Sequence, residues 1–313
     1  MAMNDSKVYP VDRLVAGYNL ILAVTWALLL GRAPYAPLLL FAHVSASFLP
    51  RLLAVAPDRP CRLRDGLREI YPIIWVLAFW TEIDFIRAHL HGIANDGPIA
   101  ALDHALFGAH LSDTWIATMP YVWLSEAMHF CYFAYYPLIF LPPLALMIAG
   151  RIQALRDVVL RLAVTYLACF LVYIVFPVDG PHFLQQQYQG PLNDGVFYNL
   201  VRGAQALGDS RGAAFPSSHV TAAFSIAYIG WRWFKRPIAL LLTAEAVGVA
   251  LSTVYTQNHY AVDAIAGIVW ALTLQGFVVP LFYRWLGPRP LQTPLVPVLP
   301  PYPQIFEPRG GIR

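Results

Sequence analysis

Long apolar runs, separated by short charged turns, constrain this chain more than any other feature. Eight runs are read as membrane-spanning helices, at 13–31, 35–53, 69–88, 121–149, 157–176, 216–234, 237–256 and 259–285. Each approaches the ~20 residues a helix needs to cross a bilayer. Only 12% of the 313 residues are charged and 58% are apolar, whereas a soluble domain carries about a quarter charged residues. The expected class is therefore an all-α polytopic membrane helix bundle. The first run follows Lys7 and Arg13 without a small-residue cleavage site, so it is read as a retained span.

Charge placement predicts sidedness. Arg51, Arg59, Arg62, Arg64 and Arg68 follow the second run. Arg151 and Arg156 follow the fourth, and Arg232, Lys235 and Arg236 the sixth. With eight spans these fall on one side, and the 89–120 segment opposite them holds no Lys or Arg. The positive-inside rule then places both termini in the cytoplasm. The chain divides into N-terminal spans and an extracytoplasmic interfacial segment (1–120), a helix bundle (121–286) and a tail (287–313) with eight prolines. Asp103 to Gly108 is read as part of an interfacial helix. Cys61, Cys131 and Cys169 lie far apart without a CxxC pair, so no zinc site or disulfide framework is expected. No glycine-rich nucleotide loop is present, and no nucleic-acid partner is expected.

Two short stretches carry the chemistry. Phe215-Pro216-Ser217-Ser218-His219 opens one span and His259-Tyr260-Ala261-Val262-Asp263 opens another. Pro216 suits a first helical turn, Ser217 or Ser218 a cap, and a helix N-terminus favours an anion. His259 and Asp263, four residues apart, share one helical face, where a carboxylate can fix the imidazole tautomer. The eight-span count brings both stretches to the extracytoplasmic side. Together they point to phosphoryl transfer.

At these residues the chain resembles the type 2 phosphatidic acid phosphatase (PAP2) superfamily. Pro216-Ser217-Ser218-His219 matches its PSGH motif, with Ser218 in place of glycine. Ser252-Thr253, five residues, His259 and Asp263 match the spacing of its SRxxxxxHxxxD motif, with Thr253 in place of arginine. The family's upstream KxxxxxxRP motif is absent, and Pro177-Val178-Asp179-Gly180-Pro181-His182-Phe183 stands there instead. That stretch, with His-Tyr-x-x-Asp-x-Ile-x-Gly at 259–267, is similar to the branch containing inositol phosphorylceramide synthases.

The resemblance implies a six-helix catalytic core, no metal or other cofactor, and a phosphohistidine intermediate. It makes His259 the nucleophile, Asp263 its orienting carboxylate and His219 the general acid, with Ser217 and Ser218 binding phosphate. Arg211 is the expected substitute for the missing cations, followed by Arg202, and His182 serves if protonated. Glu82, Asp84, Glu126 and His129 are candidates for a headgroup site, a metal pair, or interhelical hydrogen bonds alone. Tyr132, Tyr135 and Tyr136 are read as packing residues. The expected partners are the bilayer, a phospholipid or lipid-phosphate donor, and an alcohol acceptor or water, in a plasma-membrane enzyme with an extracytoplasmic site. Transfer to an alcohol gives an inositolphosphotransferase-like enzyme, and transfer to water a lipid phosphate phosphatase. A non-enzymatic transporter is the third reading. It requires polar groups through the membrane's depth, whereas the expected inner halves are apolar.

Overall fold

A computed structural model describes residues 8–54 and 62–286; the proline-containing tail lies outside them. The helices are α1 (Pro10–Leu28), α2 (Ala36–Ala46), α3 (Leu49–Ala54), α4 (Arg62–Trp80), α5 (Ile83–Leu90), α6 (Asp96–Phe107), α7 (Leu111–Thr118), α8 (Val122–Ile148), α9 (Ile152–Val175), α10 (Pro181–Leu184), α11 (Val196–Gly208), α12 (Ser218–Trp233), α13 (Arg236–Tyr255), α14 (Ala261–Thr273) and α15 (Val279–Leu286). A π-helical turn, Leu274–Val278, joins α14 to α15 in one continuous rod. No strand occurs among the described residues, and the fold is all-helical as expected.

Among the described residues five helices are long and apolar enough to cross a membrane: α1, α8, α9, α13 and the α14–α15 rod. The other expected spans fall short for separate reasons. The second run breaks into α2, of 11 residues, and α3. The third is α4, whose first turns hold Arg62, Arg64, Asp65, Arg68 and Glu69. The sixth is α12, only 16 residues long and carrying His219, Thr221, Ser225 and Arg232.

Helix α9 is the most buried of the long helices and forms the centre of the core. Around it pack α4, α8 and α12, and α12 lies mainly against α13 and α14. Close approach depends on small residues. A Cβ on Gly230 would lie 2.9 Å from Leu242 Cδ1, and one on Gly267 would lie 2.8 Å from the Ser217 carbonyl oxygen. Outward-facing side chains such as Phe41, Ile148, Val175 and Phe277 are more than 70% exposed, as lipid-facing positions of a bundle would be.

The half of the bundle remote from the two histidine stretches is not apolar. Asp157, fully buried, accepts from Arg161 Nε (2.8 Å), Arg232 Nε (3.0 Å), Trp233 Nε1 (2.6 Å) and the Tyr283 hydroxyl (2.6 Å). Arg161 continues to Gln275, whose amide donates to Thr165 and Ser225. Sequence alone suggested that polar groups gather at the outer end. This network corrects that expectation, because Arg161 and Thr165 of α9, Ser225 of α12 and Gln275 of the α14–α15 rod satisfy one another across three helices. Every named member has a partner, so the network pins the helices together.

Candidate active site

The two motif stretches meet. The His219 and His259 ring centroids lie 5.9 Å apart. They come from the N-terminal ends of α12 and α14, which open side by side. Ser217 caps α12: its hydroxyl accepts from the Val220 N–H at 3.4 Å, and its carbonyl accepts from Thr221. Pro216 therefore sits before the cap rather than in the first turn, and its carbonyl accepts from the Tyr173 hydroxyl (2.7 Å). Asp263 plays the corresponding part in α14, where its Oδ2 accepts from the Tyr260 N–H (2.9 Å).

His259 Nδ1 lies 3.4 Å from Asp263 Oδ2. The expected shared helical face is corrected here: His259 stands two residues before α14, and the turn at its N-cap Tyr260 brings the two side chains together. No hydrogen bond closes this gap: His259 Nδ1, Asp263 Oδ1 and His219 Nδ1 are all buried without a partner. Three of the nine such atoms among the described residues thus belong to these three side chains. Orphaned polar atoms are costly in a dry interior, and catalytic hydrogen bonds are often loose until substrate arrives. His219 Nε2 is 3.2 Å from the Tyr132 hydroxyl, and its ring packs on Tyr135 at 4.5 Å. The three tyrosines do pack, but Tyr132 also holds the histidine.

Two cavities adjoin here. The smaller, about 30 Å³, is walled by Asp179, His182, Asp209, Ser210, Asn258, His219 and His259, among others. The larger, about 260 Å³, is mostly apolar and runs between α4, α8, α9 and α11, bounded by Ile73, Tyr135, Ile139, Tyr166, Phe170 and Leu207. Trp80, Tyr132, Asp209 and His219 border both.

The Pro177–Phe183 stretch enters the site as a bound turn. Val178 bridges to Ala213 in parallel, with Val178 N–H donating to the Gly212 carbonyl and Ala214 N–H to the Val178 carbonyl. Gly180 has φ +81°, and a Cβ there would lie 2.7 Å from the Ala214 Cβ. Only glycine fits that approach.

The expected phosphate groups are dispersed. Ser217 uses its hydroxyl as a cap, and Ser218 faces the larger cavity. Arg211 is half-exposed, 3.6 Å from Asp179, with its guanidinium 4.7 Å over the Phe183 ring. Arg202 donates to Gln187 and reaches His182 Nδ1 at 3.4 Å. A nitrogen that accepts from a guanidinium carries no proton, and the other, Nε2, faces Asp209 at 3.1 Å. Burial, then the charges of Arg202, His259 and Arg211, push the His182 pKa down to about 4. His182 is therefore neutral near pH 7, so the protonated state required for a clamp is absent there.

The four headgroup candidates do not converge. Glu82 accepts from Trp26 Nε1 (2.7 Å) and meets His43 Nε2 (2.9 Å) beside α1 and α2. Asp84 is exposed. Glu126 caps α11, accepting from the Phe197 and Tyr198 N–H groups. His129 bonds the Ser125 carbonyl and borders a separate recess with Arg202. Among the described residues no cluster of three His, Cys, Asp or Glu could hold a metal ion.

Sequence reasoning missed Arg87, Asp209, Trp80 and Asn258. Arg87 pairs with Asp179 from α5. Asp209 ends α11 and faces both cavities. The only signal for Arg87 and Asp209 was a charge close to a span or motif, which is common on any surface, and Trp80 and Asn258 carried none.

The PAP2 superfamily profile matches residues 98–277, more than half of the chain. A PA-phosphatase related-family protein of Dictyostelium discoideum is 26% identical over 129 residues, covering 38% of this chain and 23% of that protein. The chain therefore spans less than a quarter of that relative's length. No solved structure matches. The matched stretch runs from α6 into the π-turn and encloses both histidine turns, and the chain is an integral membrane protein belonging to the PAP2 superfamily.

Proposed function

We propose that this protein moves the phosphoryl group of a lipid phosphate through a covalent histidine intermediate. The observation that carries this reading is His219 facing His259 at 5.9 Å in a small polar cavity whose wall continues into a long apolar one. The apolar cavity suits a lipid chain, and the polar one its phosphate. His259 Nε2 attacks phosphorus while Asp263 holds the Nδ1 side. The bond from phosphorus to the lipid oxygen breaks, and His219 delivers its proton to that oxygen. An acceptor then gives its proton to His219 and displaces His259 from phosphorus.

Hydrolysis is the first reading of the second step. It is supported by the similarity to a PA-phosphatase related-family protein. Transfer to an alcohol, as in the inositol phosphorylceramide synthase-like branch, is supported by the Pro177–Phe183 turn lying at the site. We place the site on the extracytoplasmic side of the plasma membrane, on the arginine distribution. Purified protein incubated with labelled lipid phosphates, with and without alcohol acceptors, tests the proposal. Free phosphate supports hydrolysis and a labelled acceptor supports transfer. Neither product from any lipid phosphate overturns the reading.

A further inference from the structure

The 96–107 helix packs against three segments of the catalytic end: the Pro177 turn, the stretch before Ser217 and the start of α14. Asp96, Ile99 and Asp103 lie at i, i+3 and i+7, one face of α6. Ile99 packs in a small separate core with Val178, Ala214, Tyr260 and Val262. Those four come from the Pro177 turn, the strand-like stretch before Ser217, and the start of α14. The three segments are far apart in sequence.

The two aspartates fasten the same segments by hydrogen bonds. Asp96 receives the Asp179 N–H on one oxygen (3.1 Å) and the Gly180 N–H on the other (2.7 Å). Asp103, with no exposed surface, receives the Val262 N–H at 3.1 Å and faces His110 Nδ1 at 3.1 Å. Val262 lies in the first turn of α14, one residue before Asp263. A carboxylate at that end also opposes the positive pole of the helix. The next residue before Asp96, Asn95, donates its N–H to the Pro177 carbonyl (2.7 Å).

We propose that Asp96 and Asp103 are positioning residues, which hold the Pro177 turn and the His259–Asp263 turn in catalytic register from one outer helix. The effect on rate rests on the phosphoryl-transfer reading above, but the mechanical clamp does not. Neither aspartate borders the cavity with the two histidines. Their action is therefore on geometry, where a 1 Å displacement can cost about 10²-fold in rate.

The test uses full-length protein with Asp103→Ala, Asp103→Asn and Asp96→Ala. Turnover of a labelled lipid phosphate, thermal unfolding and backbone hydrogen exchange are measured on each. Both Ala variants are expected to lose about 10²-fold in kcat, with KM changed less than about threefold. Asp103→Asn keeps an oxygen for the Val262 N–H and should recover most of the loss. Exchange should accelerate at 260–265 in the Asp103 variants and at 178–181 in Asp96→Ala, with the rest of the bundle unchanged. Wild-type kcat in both Ala variants, or a change in KM alone, overturns the rate effect. If Asp103→Ala does not fold, Asp96→Ala, at a half-buried helix start, decides. If the wild type turns over no lipid phosphate, the functional reading fails separately. Unaltered exchange at both turns then overturns the clamp.

Discussion

The backbone N–H of Ser217 donates to the carbonyl of Asp263 at 3.1 Å. This bond joins the cap of one motif helix to the first turn of the other, 46 positions later. It forms because Gly267, one turn further along α14, has no side chain where the Ser217 carbonyl passes. The separation of His219 from His259 is set by that contact, since each histidine lies within four residues of it.

Gly267→Ala should therefore separate the two turns. The added Cβ meets the Ser217 carbonyl oxygen at 2.8 Å and Val220 Cβ at 3.0 Å. Both neighbours are rigid, so a loss of about 1–3 kcal/mol is expected, the usual cost of overpacking. Denaturant unfolding in detergent measures it, and turnover should fall in parallel. An unchanged unfolding midpoint would mean that the helices can shift freely.

His259→Ala should abolish both turnover and covalent labelling by a phosphorylated substrate while the protein stays folded. Asp263→Asn should retain residual activity, because the carboxylate orients the ring and does not itself react. Rapid alkaline quench of labelled enzyme, in which a phosphohistidine survives, distinguishes the two. A His259→Ala protein that still accumulates label would move the nucleophile elsewhere.

Arg211 and Arg87 both approach Asp179, and their substitutions should differ. Arg211 is half-exposed and can turn toward a phosphate. Arg211→Ala should lower the chemical step by about 10²–10³, the cost of losing one transition-state donor. Lys should rescue only in part. Arg87 is well covered, and its loss leaves Asp179 buried without that partner. Arg87→Ala should cost about 3 kcal/mol of stability. Single-turnover rates and unfolding curves, taken together, separate the roles. Arg211→Ala with a wild-type rate would leave Arg202 as the remaining nearby candidate.

The pH profile should carry a contribution from Asp209. Burial raises its carboxyl pKa to about 6, although the Ser210 N–H and Arg202 oppose the shift. Below that value the group is neutral. As pH rises through about 6 it becomes a carboxylate beside the phosphate cavity, and kcat/KM should fall. Asp209→Asn should remove that limb. His182, with its pKa near 4, stays neutral throughout and adds no step. A limb of the same size in Asp209→Asn would assign it to another group.

Sidedness is testable by labelling. In a cysteine-free background, Gly190→Cys and Gly66→Cys should react with an impermeant reagent from opposite faces of the membrane. Residue 190 lies in the loop that leads to the site, and residue 66 lies in the arginine-bearing start of α4. Reaction of both from one face would overturn the extracytoplasmic placement.

Apolar runs and turn residues by themselves determined that the chain is a helical membrane bundle. That is a local consequence of apolar length and bilayer thickness. The i, i+4 spacing marked His259 and Asp263 as neighbours, but His259 precedes α14 and the helix-start turn, not the helix period, pairs them. The proximity of His219 and His259 was legible as motif resemblance. Their distance was not, because it depends on Gly267 and on one backbone hydrogen bond between distant turns. Tertiary structure alone decided the fate of the polar side chains. Glu126 spends its carboxylate on the end of α11, Glu82 meets Trp26 and His43, and His182 is held neutral between Arg202 and Asp209. Each outcome follows from which donor packing delivers to a buried acceptor, and no local pattern in the chain encodes that pairing.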